Sequence, residues 1–281
     1  METFFVGSVL ALAYFILGRL RRRPTHDREW ELDVSHLPRV SRKGGEVTIY
    51  DLRDWAFTRS GAVAHDTWRD VRFDRTALTR AWLVVEPFVF WGKIAHTFLI
   101  FELASGDAVG VSVEARKRKD QRYSPVMALF RSYELIYQWG SARDLLSVRA
   151  LRRRHTQYLV PLKLSDEQVQ DLFGAMVAAT NELFRAPRFY NTVRANCTTE
   201  LFDPIAKIDP AFRLSLAARL LTARIHWLLR DRGLVAPGAE SIDVTPHILD
   251  MDPAIREDAD PSHFFRALTR SLYPQPAHVR D

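Results

Sequence analysis

Cys197, the one thiol of the chain, stands in Asn196-Cys197-Thr198-Thr199-Glu200, shortly after the aromatic stretch Arg188-Phe189-Tyr190-Asn191. A single thiol closes no internal disulfide and is too little cysteine for a structural zinc site, so it is either an inert small hydrophobe or a nucleophile. Asn196 is a good helix N-cap, and Thr198 to Phe202 reads as the first turn of a helix. The sulfur would then sit where aligned peptide dipoles favour thiolate over thiol. His96 lies upstream in the apolar run Ile94-Ala95-His96-Thr97-Phe98-Leu99-Ile100-Phe101. There it is either a satisfied core histidine or the base that takes the Cys197 proton. Joined, the two would carry out acyl transfer through a thioester. Backbone N–H groups at the helix start, around Asn196 and Thr198, would then hold the oxyanion.

The element that must position His96 is a hairpin. Ile94 to Leu103 and Asp107 to Ala115 are apolar, β-branched runs separated by Ala104-Ser105-Gly106, a loop length that favours Gly at the left-handed position. That register sets Leu103 against Asp107 and His96 directly opposite Glu114. Opposed residues of an antiparallel pair share a face, so a carboxylate there could fix the imidazole tautomer. A two-residue loop would place Ala115 or Lys117 opposite His96 instead.

Five pieces in order resemble the family of the N-terminal periplasmic domain of Lnb, the lipoprotein N-acylation transacylase. They are Ala95-His96-Thr97-Phe98, Ser112-Val113-Glu114-Ala115-Arg116-Lys117, Tyr123-Ser124-Pro125, Arg131-Ser132-Tyr133-Glu134-Leu135, and Phe189-Tyr190-Asn191-Thr192 leading to Asn196-Cys197-Thr198-Thr199. The resemblance spans about residues 45 to 205. It implies an α+β thiol-enzyme core, papain-like in a permuted order, with the His strand before the Cys helix and an antiparallel sheet packed on helices. It also implies that Cys197 is the acyl-accepting nucleophile and His96 its base, with Arg116, Tyr123, Arg131 and Glu134 supporting the site. The role of Glu114 rests on the hairpin register.

Composition fits a globular domain: 281 residues with 47% hydrophobic content can bury a sizeable core. The net charge of +6 does not point to nucleic acid, because the arginines are dispersed and no nucleic-acid motif is present. Arg152-Arg153-Arg154-His155 reads as a solvated loop between strands at Leu145 to Val148 and Tyr158 to Val160. His36, His65, His226 and His247 show no metal-ligand spacing, so neither a metal nor another cofactor is expected.

At the N-terminus, Thr3 to Gly18 is uncharged and mostly apolar and is followed by Arg19-Leu20-Arg21-Arg22-Arg23. Lacking a positive n-region and a cleavage site, it reads as an uncleaved transmembrane anchor over residues 1–23. The trailing arginines alone would put the domain in the cytoplasm. The resemblance puts it on the outer face of a bacterial inner membrane, and that reading is preferred. Residues 24–45 read as a linker or a strap, 46–235 as the enzyme domain, and 236–281 as a tail with a short helix around Pro261 to Leu272.

Other elements follow from local pattern. Val47 to Tyr50 is a short strand, and Ala81 to Trp91, broken by Pro87, is a strand ending at a bulge, an edge strand or a substrate-facing wall. Ser124-Pro125 starts a helix through about Tyr137, on which Arg131 and Glu134 lie three apart. Ser165 to Gln168 is a capping box for a long helix whose Val169, Leu172, Phe173, Met176, Val177, Leu183 and Phe184 face the core. Ala211 to Leu234 reads as one basic amphipathic helix, packed on the core or lying on an anionic membrane.

The sequence therefore predicts membrane-anchored, thiol-dependent acyl transfer on a membrane lipid or lipidated protein. Two alternatives share the residues: a membrane-tethered cysteine hydrolase acting on peptide or peptidoglycan bonds, and a non-catalytic binding module with a retained site.

Overall fold

The computed structural model describes residues 14, 17–18, 21–87, 94–206, 210–215, 218–219, 222–235 and 241–272. The expected anchor lies mostly outside the described residues. Among those described, no helix is long and apolar enough to cross a membrane.

Nine strands join in one sheet: β1 (Arg39–Lys43), β2 (Glu46–Phe57), β3 (Val63–Asp74), β4 (Leu78–Pro87), β5 (Ala95–Leu103), β6 (Ala108–Arg116), β7 (Glu134–Ser141), β8 (Tyr158–Pro161) and β9 (Ile242–Asp243). The order is β1-β2-β7-β6-β5-β4-β8-β9, with β3 also paired to β2. All pairings are antiparallel except β2 with β7. The helices are α1 (Ala142–Ser147), which runs on as a π-helical turn (Val148–Arg153), α2 (Asp166–Arg185), α3 (Cys197–Ile205), α4 (Ile225–Asp231), α5 (Thr245–Leu249), α6 (Pro253–Arg256) and α7 (Ser262–Leu272). The chain is thus an α+β protein.

Strand alternation divides the sheet's side chains between two cores. Leu83, Val85, Leu99 and Phe101 share one core with Phe173 and Met176 of α2 and Leu201 and Phe202 of α3. Trp82, Val84, Phe98 and Ile100 share the other with Leu145 and Leu146 of α1 and Phe264 and Phe265 of α7. Burial on both faces is why β4 and β5 read as continuous apolar runs. β4 is an interior strand between β5 and β8, not an edge.

The hairpin register is the expected one: Phe98 pairs with Ser112 and Glu102 with Ala108, and the Leu103 N–H donates to the Asp107 carbonyl. Gly106 takes φ +82 in the loop. The capping box at Ser165 and Gln168 and the α7 helix are also present. Segment 24–45 is a strap: Trp30 bridges Arg118, Val34 is buried, and β1 extends the sheet.

Several expectations are corrected. Ser124 to Tyr137 is not a helix; it holds a short 3-10 turn at Met127–Leu129 and then β7. β7 is buried along its whole length, polar residues included, so it shows no alternation to separate strand from helix. Conversely, Leu145 to Val148 is helical, and Arg152 and Arg153 close the π-helical turn, with Arg154 left-handed at φ +58. Phe184 is 40% exposed and does not face the core. The segment from Ala211 to Leu234 is broken: a 3-10 turn at Pro210–Phe212, another at Thr222–Arg224, then the short α4. The polar strand β3 escaped notice because it is largely exposed and lacks an apolar face.

Candidate active site

Cys197 is the first residue of α3, and Asn196 is its cap. The Asn196 Oδ1 accepts the N–H groups of Thr198 and Thr199, both at 2.9 Å, while the Thr199 hydroxyl takes the Asn196 N–H at 3.0 Å. This reciprocal cap commits the amides of Thr198 and Thr199, so the role expected of Asn196 and Thr198 at an oxyanion narrows to orienting the helix. The Thr198 hydroxyl meets Thr97 at 3.1 Å and docks the helix start on β5. Farther along α3, Glu200 receives Arg188 through two bonds of 2.9 and 2.8 Å and the Tyr137 hydroxyl at 2.7 Å. Burial pushes the Tyr137 phenol up, and the Glu200 charge adds to it.

His96 is the second residue of β5, with Glu86 of β4 opposite it on one side. On the other side the β5–β6 pairing ends at Phe98 and Ser112, so the two strands part just where His96 would face Glu114. The Cys197 sulfur lies at this opening, 4.0 Å from the Ala95 carbonyl and 3.9 Å from the Thr198 hydroxyl.

The His96 Nε2 is surrounded. Ser112 Oγ lies at 2.7 Å, Arg149 Nη2 at 3.1 Å and Glu114 Oε1 at 3.3 Å. Ser112 donates to Glu114 at 2.8 Å. Arg149, buried on the π-helical turn, donates to Glu114 at 2.7 Å, to Ser112 at 3.1 Å, to the Leu145 carbonyl at 2.7 Å and through Nε to Glu86 at 2.8 Å. Its guanidinium also lies 4.3 Å from the Phe98 ring centroid. Glu86 completes the cluster with His155 Nδ1 at 2.5 Å.

Electrostatics couple these groups. Burial disfavours an imidazolium, yet the charges of Glu114 and Cys197 hold the His96 pKa at about 10. Burial likewise disfavours the thiolate, but the His96 charge draws the Cys197 thiol below its ordinary value. Against burial, His96 and then Arg149 hold Glu114 well below the carboxylate range. Arg149 and His155 do the same for Glu86, at about 2. Tyr190 and Tyr123 stand near the sulfur; burial and the Cys197 charge push the Tyr190 phenol well up.

The four expected supports have separate places. Arg116 clasps the strap, donating to the carbonyls of Val34 at 2.9 Å and Ser35 at 2.7 Å and lying 4.2 Å from the Trp30 ring centroid. Burial lowers its pKa to about 10. Tyr123 is half exposed, with its ring 5.4 Å from that of Tyr133. Glu134 is buried and accepts from Arg28 at 3.0 Å. Arg131 is exposed, in left-handed backbone at φ +48, and reaches the Arg22 carbonyl at 3.4 Å. With no helix there, the geometry that set Arg131 beside Glu134 does not hold.

Sequence reading overlooked Glu86, Ser112 and Arg149. Ser112 did carry a signal, being two residues before Glu114 and therefore on the same face of the strand. Arg149 was a lone cation inside the apolar run Leu145 to Leu151. Its partners come from β4 and β6, which no local pattern links.

A family model described as the Lnb N-terminal periplasmic domain matches residues 64–228. No curated protein and no solved structure matches the chain.

Proposed function

The chain belongs to the Lnb N-terminal periplasmic domain family, and from that premise we propose that it is a thiol-dependent acyltransferase using Cys197 and His96 on lipid or lipoprotein substrates. The observation that carries this reading is the mutual pull of the two groups. A thiol at a capped helix start is drawn down by a histidine that is itself held charged by Glu114.

In the first step the Cys197 thiolate attacks an ester carbonyl, forming a carbon–sulfur bond. The Cys197 N–H, the one amide of the helix start that Asn196 does not cap, lies beside the developing oxyanion. The His96 imidazolium gives its proton to the leaving alcohol as the carbon–oxygen bond breaks. In the second step an amine attacks the thioester, neutral His96 takes a proton from the nitrogen, and the thiolate leaves. Overall an acyl group moves from oxygen to nitrogen. The His strand preceding the Cys helix agrees with a permuted papain-like core, and an N-terminal anchor would hold the domain on the outer face of the inner membrane.

The test is mass spectrometry of Cys197 after incubation with phospholipid vesicles, with and without a diacylglyceryl-modified lipopeptide. The expected result is an acyl adduct on Cys197, absent in Cys197→Ser and discharged to the lipopeptide amine. Release of free fatty acid without N-acylation would identify a hydrolase instead. A bare thiol throughout would favour the binding-module alternative.

A further inference from the structure

The Ser112 hydroxyl has one proton, two lone pairs and three neighbours. Glu114 Oε1, at 2.8 Å, is held ionised beside Arg149 and can only accept, so the hydroxyl proton points there. Arg149 Nη2, at 3.1 Å, can only donate. The remaining lone pair faces His96 Nε2 at 2.7 Å, the shortest contact of the three, and is filled only if that nitrogen carries a proton. The 3.1 Å approach of Arg149 Nη2 to His96 Nε2 then places two donors side by side, both aimed at the serine.

We infer that Ser112 and Arg149 are positioning residues that fix the tautomer of His96, with the Nε2 proton given to Ser112 and the lone pair of Nδ1 presented to the Cys197 thiol. The inference rests on the acyl-transfer reading above and adds to it the part that decides whether the histidine can act as a base. With the opposite tautomer Nδ1 would carry the proton, and the thiol would have no acceptor. In the relay the thiol proton moves to Nδ1 as the S–H bond breaks. The Nε2 proton stays where it is, and the new positive charge is met by Glu114 through the serine. The groups facing His96 are Glu86 from β4, Ser112 and Glu114 from β6, Arg149 from the π-helical turn and Cys197 from α3, while the Arg153 charge acts on the two carboxylates. Arg149 binds both carboxylates at once.

Two measurements test this. The first is 15N NMR of histidine-labelled Cys197→Ser, with His96 assigned by comparison with a His96→Gln variant, above the pH at which His96 titrates. The expected result is a protonated Nε2 and a bare Nδ1; a bare Nε2 would overturn the inference. The second is the pH profile of Cys197 alkylation by iodoacetamide. Ser112→Ala should raise its midpoint by about one pH unit, a ten-fold loss of thiolate below it, and Ser112→Thr, which restores a hydroxyl, should bring it back. A profile unmoved by Ser112→Ala, with the wild-type midpoint still low, would overturn the relay and leave the thiol enzyme intact. A wild-type midpoint at the ordinary thiol value would instead sink the acyl-transfer reading itself.

Discussion

A buried thiol left alone titrates above 9.0, and in this chain the His96 charge turns that shift downward. His96→Ala should therefore push the Cys197 alkylation midpoint above that of the wild type, since the largest influence opposing burial is then gone. Glu114→Gln should raise it less, because it weakens the hold on the His96 charge 3.3 Å away while also removing a carboxylate whose own charge pushes the thiol up. Stopped-flow alkylation between pH 5 and pH 10 checks both. Equal effects from the two variants would show that His96 does nothing for the thiol unless Glu114 holds it charged.

At the scale of elements, the site depends on a close approach of α1 to the sheet. Gly110 and Gly140 are paired across β6 and β7. A Cβ on Gly110 would lie 2.6 Å from a Leu145 methyl and 2.9 Å from the Leu99 carbonyl oxygen. The missing side chains let α1 settle low enough for Arg149, one turn past Leu145, to reach Glu86 and Glu114. Gly110→Ala should lift α1, costing about 1–3 kcal/mol of stability from overpacking, and should raise the Cys197 midpoint by withdrawing Arg149. Urea unfolding combined with alkylation measures both. A stability loss with an unmoved thiol would show that α1 does not place the arginine. The α3 cap is a second element-level device. Asn196→Ala should lower stability by about 1 kcal/mol, read as a lower Tm.

For the whole molecule, two consequences follow from buried charge. Glu86, at about 2, and Glu114, held well below 4.5, both have folded pKa values under their ordinary 4.5. Such groups add stability that is present above about pH 4.5 and is lost as pH falls toward 2. Unfolding midpoints should fall steeply on that acid limb, and Glu86→Gln should flatten it while lowering stability at neutral pH. An acid limb identical in the two proteins would discount the cluster. The strap is the second consequence. Arg116 ties it to β6 through two carbonyls, so Arg116→Ala should free the Trp30 to Ser35 segment. Limited trypsin digestion should then cut after Arg28 far faster than in the wild type, and an unchanged pattern would assign the strap's hold to β1, the Trp30–Arg118 bridge and the Arg28–Glu134 pair.

The sequence by itself determined what was local. The cap at Asn196 and the thiol at the helix start follow from residue types within one turn, and the loop Ala104-Ser105-Gly106 set the register that aims His96 toward Glu114. The capping box at Ser165 was legible for the same reason. Helix and strand were exchanged at Glu134 to Tyr137 and at Leu145 to Val148, because a segment buried on all sides carries no periodicity. The opening between β5 and β6, where the sulfur lies, is a property of the sheet and not of either strand. Only the tertiary structure brought Arg149 and Glu86 to the histidine, since a buried charge is tolerable solely beside opposite charges, and these arrive from strands 63 and 35 positions away.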